Sequence, residues 1–226
     1  MSDGAATRAE QPSRRVHGRD DSELAALRCA AYGACSELMA SPHDLDTRKS
    51  LREKIGIGAL LPDAAGLDEV LAELVELDLG TLKRDYSSIF EVGSDGPPVS
   101  IREDLSTGQR AGTREDLVRF YDYFGYALAE RFAWAPDHLS VELEFMHYLC
   151  YGEASSESDP QPFQLAQADF AQRHFGWLED WSAKVSEIRP GSLYARAAAA
   201  ILNFTAADLR WQLSTISAAD QPGTDN

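Results

Sequence analysis

The sequence predicts an all-α fold, a single globular domain of about eight to ten helices around one core. Two observations predict it. Apolar residues recur at three- and four-residue steps along nearly the whole chain, the period of a helix buried on one side. No stretch shows the period-two alternation of a half-buried strand, and no internal repeat is present. The chain has 226 residues, enough to bury about 70% of its unfolded surface.

The elements follow in order. Asp21 or Ser22 caps a helix running to about Ala40, with Leu24, Leu27, Ala31 and Leu38 among its apolar positions, and Ser41-Pro42 ends it. A second helix covers Leu45 to Ile55, before Gly56 and Gly58. After Pro62 a third runs from Leu67 to Leu77, and Gly80 separates it from a fourth, Thr81 to Phe90. Residues 91–112, rich in Gly and Pro, read as a long loop with a function or an ordered crossover. Thr113 caps the clearest helix, its stripe formed by Leu117, Phe120, Tyr121, Phe124 and Leu128. Pro136-Asp137 starts the next, with Leu139, Leu143, Met146 and Cys150 on one face. Residues 152–162 form an acidic loop. Helices then cover Pro162 to His174, Trp177 to Ile188 and Ser192 to Leu213. The domain is expected at 21–216, between disordered polar tails at 1–20 and 217–226.

Composition excludes several classes. Thirty-seven Asp and Glu against 21 Lys and Arg give a net charge of −16 and a pI near 4.6. So acidic a chain is repelled by phosphate backbones and anionic bilayers, so neither nucleic acid nor a membrane is an expected partner. No apolar run is long enough to span a bilayer. Ser13-Arg14-Arg15 imitates the start of an export signal, but polar residues follow instead of an apolar stretch, and a cytoplasmic protein is expected. Cys29, Cys35 and Cys150 are odd in number and lack a C-x-x-C, which points to thiols.

The densest chemistry lies in Pro136-Asp137-His138-Leu139-Ser140-Val141-Glu142. His138 and Glu142, four apart, read either as a polar site at a helix N-terminus or as a cap plus an exposed pair worth about 0.3–0.5 kcal/mol. They supply only two metal ligands, and His147 points elsewhere. Phosphate loops, a nucleophile elbow and H-E-x-x-H are absent from the sequence. No catalytic residue, cofactor or metal is assigned. Tyr86, Phe90, Phe120, Tyr121, Phe124, Phe132 and Trp134, with Trp177 and Trp181, read mostly as core, although an apolar groove would draw on some of them. Between Arg131 and Arg173 there is no Lys or Arg, while Asp137, Glu142, Glu144, Glu153, Glu157, Asp159 and Asp169 fall there. The gap reads either as a solvated acidic face or as a wall suited to a peptide that is basic at one end and apolar along its length.

Three stretches together carry a resemblance. They are Tyr86-Ser-Ser-Ile-Phe90-Glu-Val-Gly93 with Gly96-Pro97-Pro98, then Val118-Arg-Phe-Tyr121-Asp-Tyr-Phe124-Gly125, then Pro136-Asp-His-Leu-Ser-Val-Glu-Leu-Glu-Phe-Met146. The downstream Asp169-Phe170, His174, Trp177, Trp181 and Tyr194-Ala195 also fit. Over residues 22–213 the chain resembles the TorD/DmsD/NarJ family of molybdenum-enzyme chaperones. More narrowly, it resembles the branch serving type II DMSO reductase-family enzymes. The resemblance implies a cytoplasmic, non-enzymatic helical protein, monomer or homodimer. It would hold the catalytic molybdenum subunit, shield its twin-arginine leader where it has one, and keep it competent for cofactor insertion. By the same resemblance Asp137, His138 and Glu142 line or support the leader groove, and Tyr86, Phe90, Tyr121 and Phe124 shape its apolar part. Two other readings stay open: a helical metal-dependent enzyme using His138 and Glu142, and a permanent accessory subunit of the mature enzyme.

Overall fold

A computed structural model describes residues 14–19, 22–94, 96–108, 112–156 and 158–218. In chain order these form β1 (Arg14–Val16), α1 (Ser22–Met39), α2 (Arg48–Arg52), α3 (Ile57–Leu60), α4 (Ala65–Glu76), α5 (Leu79–Phe90), α6 (Glu103–Ser106), α7 (Thr113–Phe124), α8 (Leu139–Ser155), α9 (Gln161–His174), α10 (Leu178–Ile188), α11 (Leu193–Ser214) and β2 (Ile216–Ala218). Three of the helices are single turns, which leaves eight long ones among the described residues. The all-α reading holds.

Helix α8 is the axis of the core. It packs on α1 along one side and on α9 along the other, while α11 closes the bundle against α4, α9 and α10. Leu139, Val141, Leu143, Phe145, Met146, Leu149 and Cys150 are all buried, so α8 has almost no solvent face. The close approach of α1 requires Gly33, because a Cβ there would lie 3.0 Å from His147 Nδ1.

Several expectations need correction. Parts of both expected tails are ordered against the domain. Arg14–Val16 pairs antiparallel with Ile216–Ala218, Arg14 forms an ion pair with Asp169, and Arg19 is buried. The rest of both expected tails, and the Asp21 cap, lie outside the described residues. The second helix shrinks to Arg48–Arg52: Asp46 folds back on the Arg48 backbone and side chain before it, Glu53 caps its end, and Gly56, at φ 103°, opens the next helix. Gly112, not Thr113, occupies the cap position of α7, and Gly125, at φ 67°, ends that helix before Leu128 can join its stripe. Helix α8 continues into the expected acidic loop as far as Ser155. The described part of the 91–112 segment is an ordered crossover. Val99 N–H donates to Ile89 (2.9 Å), Glu103 N–H to Asp137 (3.0 Å), and Leu139 N–H to Ile101 (3.0 Å). Trp134 is no core residue. It sits past the turn Glu130–Phe132, 66% exposed, and covers the Arg102 guanidinium at 5.5 Å.

Candidate functional site

The crossover and the N-terminus of α8 clasp each other. Asp137 is fully buried and receives Arg102 in a two-pronged ion pair, at 2.9 Å from Nη2 and at 3.1 and 3.3 Å from Nε. It also accepts the Asp104 N–H at 3.2 Å, and Arg114 Nε stands 3.8 Å away. His138 is the cap of α8 rather than a member of it. Its Nδ1 accepts the Ser140 N–H and meets the Ser140 hydroxyl at 2.8 Å, so its ring does not share a helix face with Glu142. Burial, outweighing the pull of Asp137, lowers the His138 pKa to about 4 and keeps the imidazole neutral.

The four aromatic candidates form two clusters joined by this motif. Tyr86 meets Phe90 at a tilt and Tyr194 edge-on, donates its hydroxyl to the Met39 carbonyl at 3.3 Å and reaches His138 Nε2 at 3.5 Å. Phe90 lies parallel to Trp181. Tyr121 packs on Tyr126 and Phe145 and donates to the Pro136 carbonyl at 2.9 Å. Phe124 alone of the four is half-buried, against Phe163, and borders a surface cleft.

Glu142 is the unusual member. It is fully buried, and its carboxyl makes no well-formed hydrogen bond among the described residues, although the Trp177 indole and the Glu103 carboxylate lie within reach of it. Burial, then the negative charges of Glu103 and Asp137, push its pKa well up, so it is held as the neutral acid. Glu103 in turn bonds His174 Nδ1 at 2.9 Å. His174 Nε2 and the Trp177 and Trp181 indole nitrogens are likewise buried without a well-formed hydrogen bond among the described residues.

The acid-rich stretch is largely consumed internally. Asp137 pairs with Arg102, Glu153 with Arg28 (3.0 Å), Asp169 with Arg14, and Glu142 is buried. Glu144 and Asp159 remain exposed, and Glu157 lies outside the described residues. Sequence reasoning missed the partner that neutralises most. Arg28, 1% exposed, reaches Asp208 (2.6 and 3.0 Å), Glu153 and Gln167 (2.7 Å). Its signal was a lone arginine in the small apolar run Ala25 to Ala31.

What remains open is a cleft of about 320 Å³ between α1 and α8, adjoining the motif through Ser140 and Phe132. Glu37, Asp44 and Glu144 give it an acidic lining, and its lysine, Lys54, is held by Glu37 at 2.9 Å. Cys29, beside His147 at 3.2 Å, is an unreactive thiol, because burial raises its pKa to about 11. Among the described residues no three His, Cys, Asp or Glu side chains gather as a metal-binding group, and no helix is long and apolar enough to cross a membrane.

The family model of the nitrate reductase delta subunit matches residues 59–183, more than half of the chain, spanning the crossover, the motif and helices α4 to α9. The chain belongs to this family. Within it the chain is similar to the chlorate reductase assembly chaperone protein of Ideonella dechloratans, 36% identical over 120 residues, 50% of this chain and 62% of the relative. It is similar also to the selenate reductase assembly chaperone protein of Thauera selenatis, 35% identical over 46% of this chain and 58% of the relative. These matches span less than two thirds of either relative's length. The chaperone protein TorD of Shewanella pealeana is 25% identical over 84% of this chain and 92% of its own. A solved structure from Archaeoglobus fulgidus, described as a redox enzyme maturation protein, shares the fold. It has a TM-score of 0.52 and 20% identity, over 78% of this chain and 92% of that one.

Proposed function

We propose that this chain is a dedicated cytoplasmic assembly chaperone, not an enzyme. It holds the catalytic molybdenum subunit of a type II DMSO reductase-family enzyme before export and keeps it competent for cofactor insertion. The observation that carries the reading is the similarity to named reductase assembly chaperones within the family to which the chain belongs. The acidic α1/α8 cleft supports a finer reading, in which it draws in the two arginines of a leader peptide. In this reading Asp137, His138, Glu142, Tyr86, Phe90 and Tyr121 act as supports. They fix the N-terminus of α8, and so the wall of the cleft at Ser140 and Glu144, without touching the peptide. Phe124 belongs to a different surface.

The test is co-expression of the tagged chain with a candidate reductase catalytic subunit, followed by capture and mass spectrometry. The reading expects the subunit in its precursor, cofactor-free form, in roughly equal amount to the chaperone. Co-purification only with the mature, loaded enzyme would instead mark the chain as an accessory subunit.

A further inference from the structure

A second groove runs along the seam of α7 and α9. Its larger part, about 570 Å³, has an apolar floor of Phe120, Phe124, Pro162, Leu165 and Ala166 and an outer wall at Tyr123, which is 81% exposed. A smaller, polar part of about 360 Å³ lies toward the first turn of α7 and is bordered by Gln172, Arg173 and His174. The two parts meet at Asp116 and Arg173, which border both.

The charges along this seam are not equivalent. Asp116 is engaged by Arg119 at 3.1 Å, Asp169 by Arg14, and Glu103 by His174. Arg173 has no carboxylate partner among the described residues, and its guanidinium lies 5.7 Å from the Phe120 ring. His174, 3% exposed, borders the polar end with Nε2 unpartnered among the described residues. The unspent charge at the junction is therefore positive, on a chain whose net charge is strongly negative. Its complement is a carboxylate followed by apolar side chains, the inverse of a basic leader.

We propose that the α7/α9 groove seats an acidic, apolar segment of the client subunit outside its leader, with a carboxylate at Arg173 and apolar side chains over Phe120 and Phe124. This rests on the chaperone reading. It gives the molecule two contacts of opposite polarity, so that leader and body can be held at once.

Two arms test it, using Arg173→Glu and Tyr123→Ser, both at exposed positions and both checked for unchanged helicity. In the first, a fluorescein-labelled peptide of about twelve residues carries one Asp followed by Leu and Phe at helical spacing. It binds the wild type, its Asp→Lys counterpart does not, and each variant binds at least about fivefold more weakly. Equal binding of the two peptides, or no change in the variants, overturns the proposal. In the second, wild type captures a co-expressed catalytic subunit lacking its leader, while Arg173→Glu loses it yet still binds a two-arginine leader peptide. Parallel loss of both overturns the idea of a separate surface. A wild type that captures no subunit overturns the chaperone reading and the client assignment. Success of the first arm in that case localises the error to the function rather than to the groove.

Discussion

Two knots of buried charge hold this bundle, and they differ in how fully their polar atoms are matched. Around Arg28, the guanidinium meets Asp208, Glu153 and Gln167, and Asp208 also accepts from Tyr32 (2.7 Å) and Gln212 (2.6 Å). Arg19 and Arg28 each lie 4.7 Å from the Trp211 ring. This knot ties α1, α8, α9 and α11 together with nearly every donor and acceptor in use. Around Asp137 the pairing with Arg102 is equally good, but behind it Glu142, His174 Nε2 and two indoles make no well-formed hydrogen bond among the described residues. A saturated network fixes architecture, whereas a half-saturated one is held in place by its neighbours and is the weaker of the two. The second knot anchors the crossover beside the family motif, so the weaker fastening lies next to the surfaces proposed for the client.

The largest effect should come from the saturated knot. Arg28→Ala strands two buried carboxylates and is expected to cost about 3–5 kcal/mol, measured by urea unfolding. Asp137→Asn should cost less, about 2 kcal/mol, because Arg102 keeps some solvent and one amide oxygen. It should also speed hydrogen exchange in residues 99–106. A smaller loss for Arg28→Ala than for Asp137→Asn would reverse the ranking of the two knots.

The pH responses should have opposite signs. The Asp208 pKa is lowered: burial opposes ionisation, but the charge and hydrogen bonds of Arg28 outweigh it. Its stabilising contribution is present above the unfolded carboxylate value and is lost as pH falls through the folded one. The Glu142 pKa is raised, so its contribution is full below the unfolded value and drains away as pH rises toward the folded one. Glu142→Gln should therefore flatten the alkaline side of the stability–pH curve, and Asp208→Asn the acidic side below about pH 4, as read by thermal unfolding between about pH 2 and pH 9. Identical curves for Glu142→Gln and the wild type would mean that Glu142 does not titrate as a buried acid. The smallest structural effect belongs to Glu144→Gln in the α1/α8 cleft. Stability should change by less than about 0.5 kcal/mol while affinity for a two-arginine peptide falls about threefold, measured by calorimetry.

The helices were legible because their apolar period and punctuation are local. Ser22, Ser192 and the breaks at Pro42 and Gly191 lie where the chain turns. The motif Asp137-His138 was legible as a cluster but not as a geometry. Nothing in spacing shows that Asp137 meets Arg102, or that Glu103 meets His174, across 71 positions of chain. The reading of α8 as one-sided failed for a physical reason. Flanked by α1 and α9, the helix carries Glu142 and Glu153 into the interior, so an apparent acidic wall became internal pairing. The short strands at Arg14–Val16 and Ile216–Ala218 offered no alternation over three residues, and only their pairing across the whole chain reveals them.

In the role proposed for it, this chain assembles a molybdenum enzyme without taking part in its turnover. The most direct measurement is the molybdenum content and specific activity of the catalytic subunit produced with and without this chain. An assembly chaperone gives an intact but molybdenum-poor, inactive subunit in its absence, full loading in its presence, and no chaperone in the purified mature enzyme. Equal molybdenum content and activity in both preparations would contradict it.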